Sequence, residues 1–275
     1  MHIIPLVLYL SAGVLYGVHF GARHRQVGRV ASTVLIFGVL AHTFEIGMLT
    51  MQAGHVPFAG TTQAISTFVW LLALSYLYVE ITTEERAMGV FIVPLLVVLQ
   101  AIPAFEHGTD EPVAPVLMSA WFGVHVSSLL FAYASFALAC VIGITYVLLF
   151  KEIKAKHLGF FYARLPSLEV LDKMNLRAVA IGWIFLTLGV IVGWVWASQA
   201  RAADASDPRL QAMSLADPKI FVALLCWAVY SFELYAGRAI GWRGRRAAWL
   251  SAVGFAIVLL NFVPVSYFFT KSHNF

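Results

Sequence analysis

Long apolar runs broken by short polar segments set the pattern of this chain. Eight of them lie near residues 4–21, 31–51, 62–81, 88–104, 117–150, 178–199, 218–238 and 246–269. A helix that crosses a bilayer needs ~20 mainly apolar residues. The pattern therefore predicts an all-α, polytopic transmembrane helical bundle of eight spans. The fifth run is too long for a single crossing at ~1.5 Å per residue. Its ends are expected to project beyond the hydrocarbon, or its first turns to lie along the surface.

Composition supports this picture. Of the 275 residues, 61% are hydrophobic and 12% charged, and mean hydropathy is +0.83. The longest polar pieces, 151–177 and 200–217, are too short for a soluble domain, so residues 1–275 read as a single integral-membrane domain. There is no internal repeat, no GxGxxG after a strand and no Walker loop, so neither a nucleotide-driven pump nor a soluble catalytic head is encoded.

Charge then adds an orientation. The loops after the first, third, fifth and seventh runs hold 14 of the 18 lysines and arginines. The others are Arg201, Arg209, Lys219 and Lys271. Cytoplasmic loops collect Lys and Arg, so both termini are expected on the outer face. The formal charge of +4 reads as a topology signal and not as a nucleic-acid footprint. Glu80, Glu84 and Glu85 are taken as loop charges offsetting Arg86. The N-terminus lacks a basic leader region and a clear cleavage site, and reads as a retained first span. Cys140 and Cys226 fall inside spans, where packing and not a disulfide framework is expected.

The remaining candidate chemistry is mostly histidine. His55, His107, His125 and His273 all fall on the expected outer side, whereas His24 and His157 fall on the other. Histidine is an axial ligand for haem iron and a common ligand for other metals. For His55 and His107 a solvated loop position is the plainer account. For His125 and His273, beside aromatics at span ends, an interfacial position and a ligand role are both open. Within the bilayer stand His42 and Glu45, three residues apart and so on one helix face, and Glu233. An ionisable group at membrane depth is a functional candidate by default. Polar glue between helices is the alternative.

From about residue 40 onward the chain resembles the cytochrome c assembly proteins of the CcsA/CcmC type, integral-membrane haem-handling proteins. Gly54-His55-Val56-Pro57 and the run to Trp70 resemble the family's loop into its third span. Pro115 to Val126, with Ser119, Trp121 and His125, resembles the segment presenting the first external haem-ligating histidine. Leu171-Asp172, Arg177, Gly182, Gly193 and Trp196-Ala197 resemble the approach to the tryptophan-rich outer loop, and Asp217-Pro218-Lys219 its end. Trp227, Tyr230 and Gly241 to Ala248 match the next span and its turn. Asn261-Phe262 to Ser272-His273 resembles the segment carrying the second external histidine.

The resemblance implies non-covalent (b-type) haem with His125 and His273 as axial ligands and His42 as a further candidate. It implies aromatic cover from Trp121, Phe122, Trp194 and Trp196, with Asp217 and Lys219 closing the outer loop. Arg201, Arg209 or Lys219 would meet the propionates. The implied partners are apocytochrome c, a further assembly subunit with a soluble outer domain, and membrane lipid, with no nucleic acid. The implied location is the bacterial inner membrane. The chain departs from the pattern at several points: residues 210–217 hold no tryptophan, Ile220 stands for a glutamate, Tyr235 for a membrane histidine, and Gln63 marks another replaced glutamate. The expected role is binding or delivery of haem at the outer face for c-type cytochrome biogenesis, a transporter or chaperone role more than that of an independent enzyme. A HemX-like membrane regulator of haem biosynthesis and a non-catalytic scaffold subunit remain open as alternatives.

Overall fold

The computed structural model describes residues 2–54, 56, 61–106, 118–156, 159–203 and 218–260. Among these residues the chain is helical: α1 (Ile3–Ala22), α2 (Arg25–Ala53), α3 (Thr61–Thr83), α4 (Gly89–Phe105), α5 (Ala120–Lys154), a single turn α6 (Phe160–Arg164), α7 (Leu168–Ala203), α8 (Pro218–Ala239) and α9 (Arg245–Leu260). Each of the first seven predicted spans coincides with one of these helices. Six of them are long and apolar enough to cross a membrane. Helix α4 has 17 residues. The eighth run continues past α9 into 261–269, outside the described residues.

The helices alternate in direction, so their ends gather in two groups. At one end Phe20 of α1 meets Phe91 of α4 and Phe160 of α6, Arg86 Nε donates to Ser32 of α2 at 3.1 Å, and Arg245 of α9 lies over the Phe150 ring of α5. This is the end with the arginine- and lysine-rich loops. At the opposite end His2 of α1 pairs with Glu45 of α2, and His125 of α5 packs on α7.

Packing divides the bundle into two halves. Helix α1 lies between α2 and α4, and α3 closes that group. Helix α5 packs most closely on α7 and then on α9, and α8 leans on α9 and α7. The halves meet through α3 and α5, where Ser75 and Ser135 share a hydrogen bond of 2.9 Å. These two helices are the centre: 61% and 67% of their spanning segments are buried, against 28% for α1, α2 and α8. The outer helices turn large apolar side chains outward, among them Val14, Phe44 and Phe221, as a lipid-facing surface requires.

Lipid tails are as apolar as leucine, so helices in a membrane associate through close packing of small residues and through polar contacts. Both are present. Helix α7 presents Gly182, Gly189 and Gly193 to α5 in one register. A Cβ at these positions would lie 2.4 Å from the Phe136 ring, 2.8 Å from Leu129 and 2.4 Å from the His125 ring, respectively. Gly143 of α5 lets α9 approach so closely that a Cβ there would stand 2.8 Å from the Ala248 carbonyl oxygen. Phe136 stacks on Tyr230 with ring centroids 3.6 Å apart.

The structure corrects the placement of Glu80. It is not a loop charge. Helix α3 runs on to Thr83 and carries Glu80 into the interior at 1% exposure. There its carboxylate accepts from the Tyr16 hydroxyl at 2.6 Å and from Ser32, with the Arg86 guanidinium 3.9 Å away. A buried carboxylate is tolerated when hydrogen-bond donors and a counter-charge replace its water. In the other half Glu233 is also buried, its Oε1 accepting from Ser251 at 2.7 Å and Asn175 at 3.2 Å, while its Oε2 has no hydrogen-bond partner among the described residues. Cys140 and Cys226 are free thiols, Cys226 buried.

Candidate functional site

His125 sits in the second turn of α5, whose first residue is Ala120, at the end of the bundle away from the basic loops. Its partly buried ring lies against the backbone of α7. Nδ1 is 2.7 Å from the carbonyl oxygen of Gly189. A carbonyl only accepts, so Nδ1 carries a proton; in the neutral form of the ring the lone pair is then on Nε2. This is how proteins fix the tautomer of a metal-binding histidine: one nitrogen donates to a carbonyl and the other is presented to the metal. The indole of Trp196, itself 7% exposed, runs nearly parallel to the imidazole, 14° between planes at a centroid distance of 6.5 Å. Phe122 covers Trp196 from the next position, at 5.1 Å. Residues 122 and 125 share one face of α5, and residues 189, 193 and 196 share one face of α7, by the three- and four-residue spacing of a helix.

His42 is placed differently. It is fully buried, and both ring nitrogens are engaged: Nδ1 with the Tyr9 hydroxyl at 3.0 Å and Nε2 with Ser66 at 2.9 Å. To ligate iron it would have to surrender one of these bonds. Glu45 shares its helix face, as expected, yet pairs with His2 and not with His42. Tyr235, the position where the resemblance leads one to expect a membrane histidine, is 63% exposed on α8 and is not brought to His42.

The model of the family described as Cytochrome C assembly protein matches residues 2–273. The chain belongs to that family. Curated relatives named "Cytochrome c biogenesis protein CcsA" include one from Guillardia theta, 26% identical over 87% of this chain and 83% of its own length. One from Heterosigma akashiwo is 28% identical over 99% of this chain and 91% of its own. One from Synechococcus is 24% identical over 85% and 82%.

The residues around His125 are those that hold and orient an imidazole. They supply a pinned tautomer, a defined ring plane and aromatic cover on one side. Trp121 and Trp194, also named from the sequence, are 48% and 65% exposed near the same end. Trp194 lies about 200° round α7 from Trp196 at 3.6 residues per turn, so the structure gathers Trp196 with His125 and leaves Trp194 facing outward. Lys219 is partly buried at the start of α8. His273 and Asp217, like His55, His107, His157 and Arg209, lie outside the described residues. Among those residues no three or more His, Cys, Asp or Glu side chains are grouped to hold a metal ion.

Sequence reasoning missed Gly189 and Tyr9. Gly189 and Gly193 form a small-xxx-small pair in an apolar run, a signal of close helix approach. Tyr9 and Tyr16, seven residues apart, mark one face of α1, and each meets a polar side chain of another helix.

Proposed function

We propose that this protein binds haem at the outer membrane face and delivers it for attachment to apocytochrome c. In this reading the basic loops are cytoplasmic, and the His125 end of the bundle faces outward in a bacterial inner membrane. His125 is one axial ligand through Nε2, and His273 is the other. Trp196 and Phe122 cover the porphyrin edge near His125, with Trp121 and Trp194 at the rim. Lys219 and Asp217 belong to the loop that closes over the site. The observation that carries the reading is the His125 ring, its tautomer fixed by the Gly189 carbonyl, in a chain of the cytochrome c assembly family.

When bound, haem supplies vinyl groups to which cysteine thiols of an apocytochrome CxxCH segment add. The chain itself then needs no nucleophile. Its residues hold, orient and shield. The surface that presents apocytochrome is expected from a further assembly subunit with a soluble outer domain.

The test is the optical spectrum of the protein as isolated, without added haem. A Soret band is expected, and His125→Ala and His273→Ala should each diminish or shift it, with added imidazole partly restoring it. Absence of the band, or a double variant that binds haem like the parent, refutes the reading. The stretch 210–217, which lacks tryptophan, favours a second role as a HemX-like membrane regulator of haem biosynthesis. A cytochrome c maturation assay separates the two, because the regulator would leave maturation intact.

A further inference from the structure

We infer that Gly193 and Gly189 are positioning residues for His125: together they form a backbone cradle on α7 that sets both the plane and the tautomer of the imidazole. This rests on the haem-binding reading above. The two glycines divide the work. Gly193 supplies space. A Cβ there would stand 2.4 Å from both Cε1 and Nδ1 of the ring, well inside van der Waals contact. Any side chain at 193 therefore displaces the imidazole from the α7 backbone. Gly189, one helical turn earlier, supplies the acceptor, its carbonyl oxygen 2.7 Å from Nδ1. A Cβ at 189 would meet the Leu129 side chain at 2.8 Å and the Leu129 backbone nitrogen at 3.3 Å. Trp196 supplies the facing wall, its plane within 14° of the ring. The imidazole is thus confined between helix backbone and indole, with a carbonyl fixing which nitrogen is protonated. Partners of this kind around a metal-binding histidine set ligand orientation and basicity, and their loss lowers metal affinity ~10- to 100-fold.

A close glycine seam also has a plainer use, the packing of two membrane helices. The seam contains its own control. Gly182 lies 11 residues earlier on α7, about 16 Å along the axis at 1.5 Å per residue. Its Cβ would collide with the Phe136 ring at the same 2.4 Å. Gly182→Ala and Gly193→Ala thus insult the α5–α7 packing alike, and Gly193→Ala alone touches His125.

The experiment compares haem content, optical spectrum and haem midpoint potential in the parent, His125→Ala, Gly193→Ala, Gly189→Ala and Gly182→Ala, each purified in detergent with thermal stability measured in parallel. Gly193→Ala is expected to lower haem affinity ~10-fold or more and to shift the spectrum, with added imidazole partly restoring the parental form. Gly182→Ala should leave spectrum and potential as in the parent. Gly189→Ala, whose Cβ pushes the acceptor carbonyl away from α5 by pressing on Leu129, should shift the spectrum in the same sense as Gly193→Ala. Trp196→Ala, which removes bulk and so spares the seam, should shift the spectrum even where Gly193→Ala fails to fold. If His125→Ala loses haem while Gly193→Ala and Trp196→Ala keep the parental spectrum, the positioning role is overturned and the haem site stands. If Gly193→Ala and Gly182→Ala lose haem together, in proportion to lost stability, the seam is packing alone and the inference is again overturned. If His125→Ala binds haem like the parent, the haem reading falls and this inference with it.

Discussion

Removing the Tyr16 hydroxyl should measurably destabilise the bundle, because that hydroxyl is a direct donor to a carboxylate sealed from water. Glu80 is 1% exposed. Its Oε2 accepts from Tyr16 at 2.6 Å, its Oε1 accepts from Ser32, and Arg86 stands 3.9 Å away. A hydrogen bond to a charged group contributes ~1.5–3 kcal/mol in soluble proteins, whereas polar contacts between membrane helices average ~0.6 and reach ~1.7 kcal/mol. Tyr16→Phe keeps the ring and its edge contact with Tyr76 and leaves Oε2 without this donor. The loss should fall in the upper part of the membrane range, ~1–1.7 kcal/mol. Glu80→Ala should cost more, ~2–4 kcal/mol, by adding an unpaired Tyr16 hydroxyl and a cavity. Two facts limit that figure. Ser32 can fall back on the Gly28 carbonyl, 3.0 Å away. The Arg86 side chain is 33% exposed and can turn toward water. The assay is unfolding of the purified protein in mixed micelles followed by tryptophan fluorescence, with eight tryptophans as reporters. Had Glu80 been the loop charge that its place in the sequence suggests, both changes would fall within ~0.5 kcal/mol of the parent, as surface substitutions do. That result refutes the argument.

Other consequences can be checked in the same preparations. Glu106→Cys should react with an impermeant thiol reagent from outside the cell and Lys154→Cys should not; the reverse pattern would turn the His125 end toward the cytoplasm. His42→Ala strands the Tyr9 and Ser66 hydroxyls and should lower stability by ~2–4 kcal/mol, while a loss of haem without a loss of stability would make His42 a ligand. Gly143→Ala, which drives a methyl to 2.8 Å from the Ala248 carbonyl oxygen, should cost ~1–3 kcal/mol by overpacking. Gly17→Ala, with nothing within 4 Å of the added Cβ, should be neutral or gain up to ~1 kcal/mol in unfolding measurements.

Much of the fold was legible in the sequence because the hydrophobic period of a membrane helix needs no partner to be read. Helix α1 at Ile3–Ala22 against a predicted 4–21, and α8 at Pro218–Ala239 against 218–238, show how closely apolar length alone fixes a span. The errors occur where polar residues continue a helix. Helix α7 begins at Leu168, ten residues before the predicted 178, because Glu169, Asp172, Lys173 and Arg177 mimic a loop. Glu169 and Lys173 form helix surface instead, one turn apart and paired at 2.8 Å, and Asp172 and Arg177 are half-buried within the bundle. Glu80 was misplaced for the same reason. Hydropathy scores a glutamate by its charge and carries no information about a tyrosine 64 residues away.

The candidate site divides along the same line. That His125 stands at a span end beside aromatics is local information, and the sequence holds it. That Nδ1 donates to Gly189 is a relation between two helices with the apolar run of α5 and the basic segment between them, and only the α5–α7 register reveals it. Apolar contacts fix such a register poorly in a membrane, since lipid competes equally for every leucine. Glycines and polar groups fix it well. In the first half Tyr9 reaches His42 and Tyr16 reaches Glu80. In the second half Asn175 and Ser251 close on Glu233, and Asp172 accepts the backbone amide of Gly244 at 2.7 Å, tying the start of α7 to the start of α9. Sliding α7 by one turn would uncouple Asn175 from Glu233, Asp172 from Gly244 and His125 from Gly189 at once. The buried polar residues near the basic end and the imidazole near the opposite end are therefore parts of one register. Loss of the Asn175–Glu233 contact should be felt at Gly189, more than a dozen residues along α7, and through its carbonyl at the His125 ring of α5.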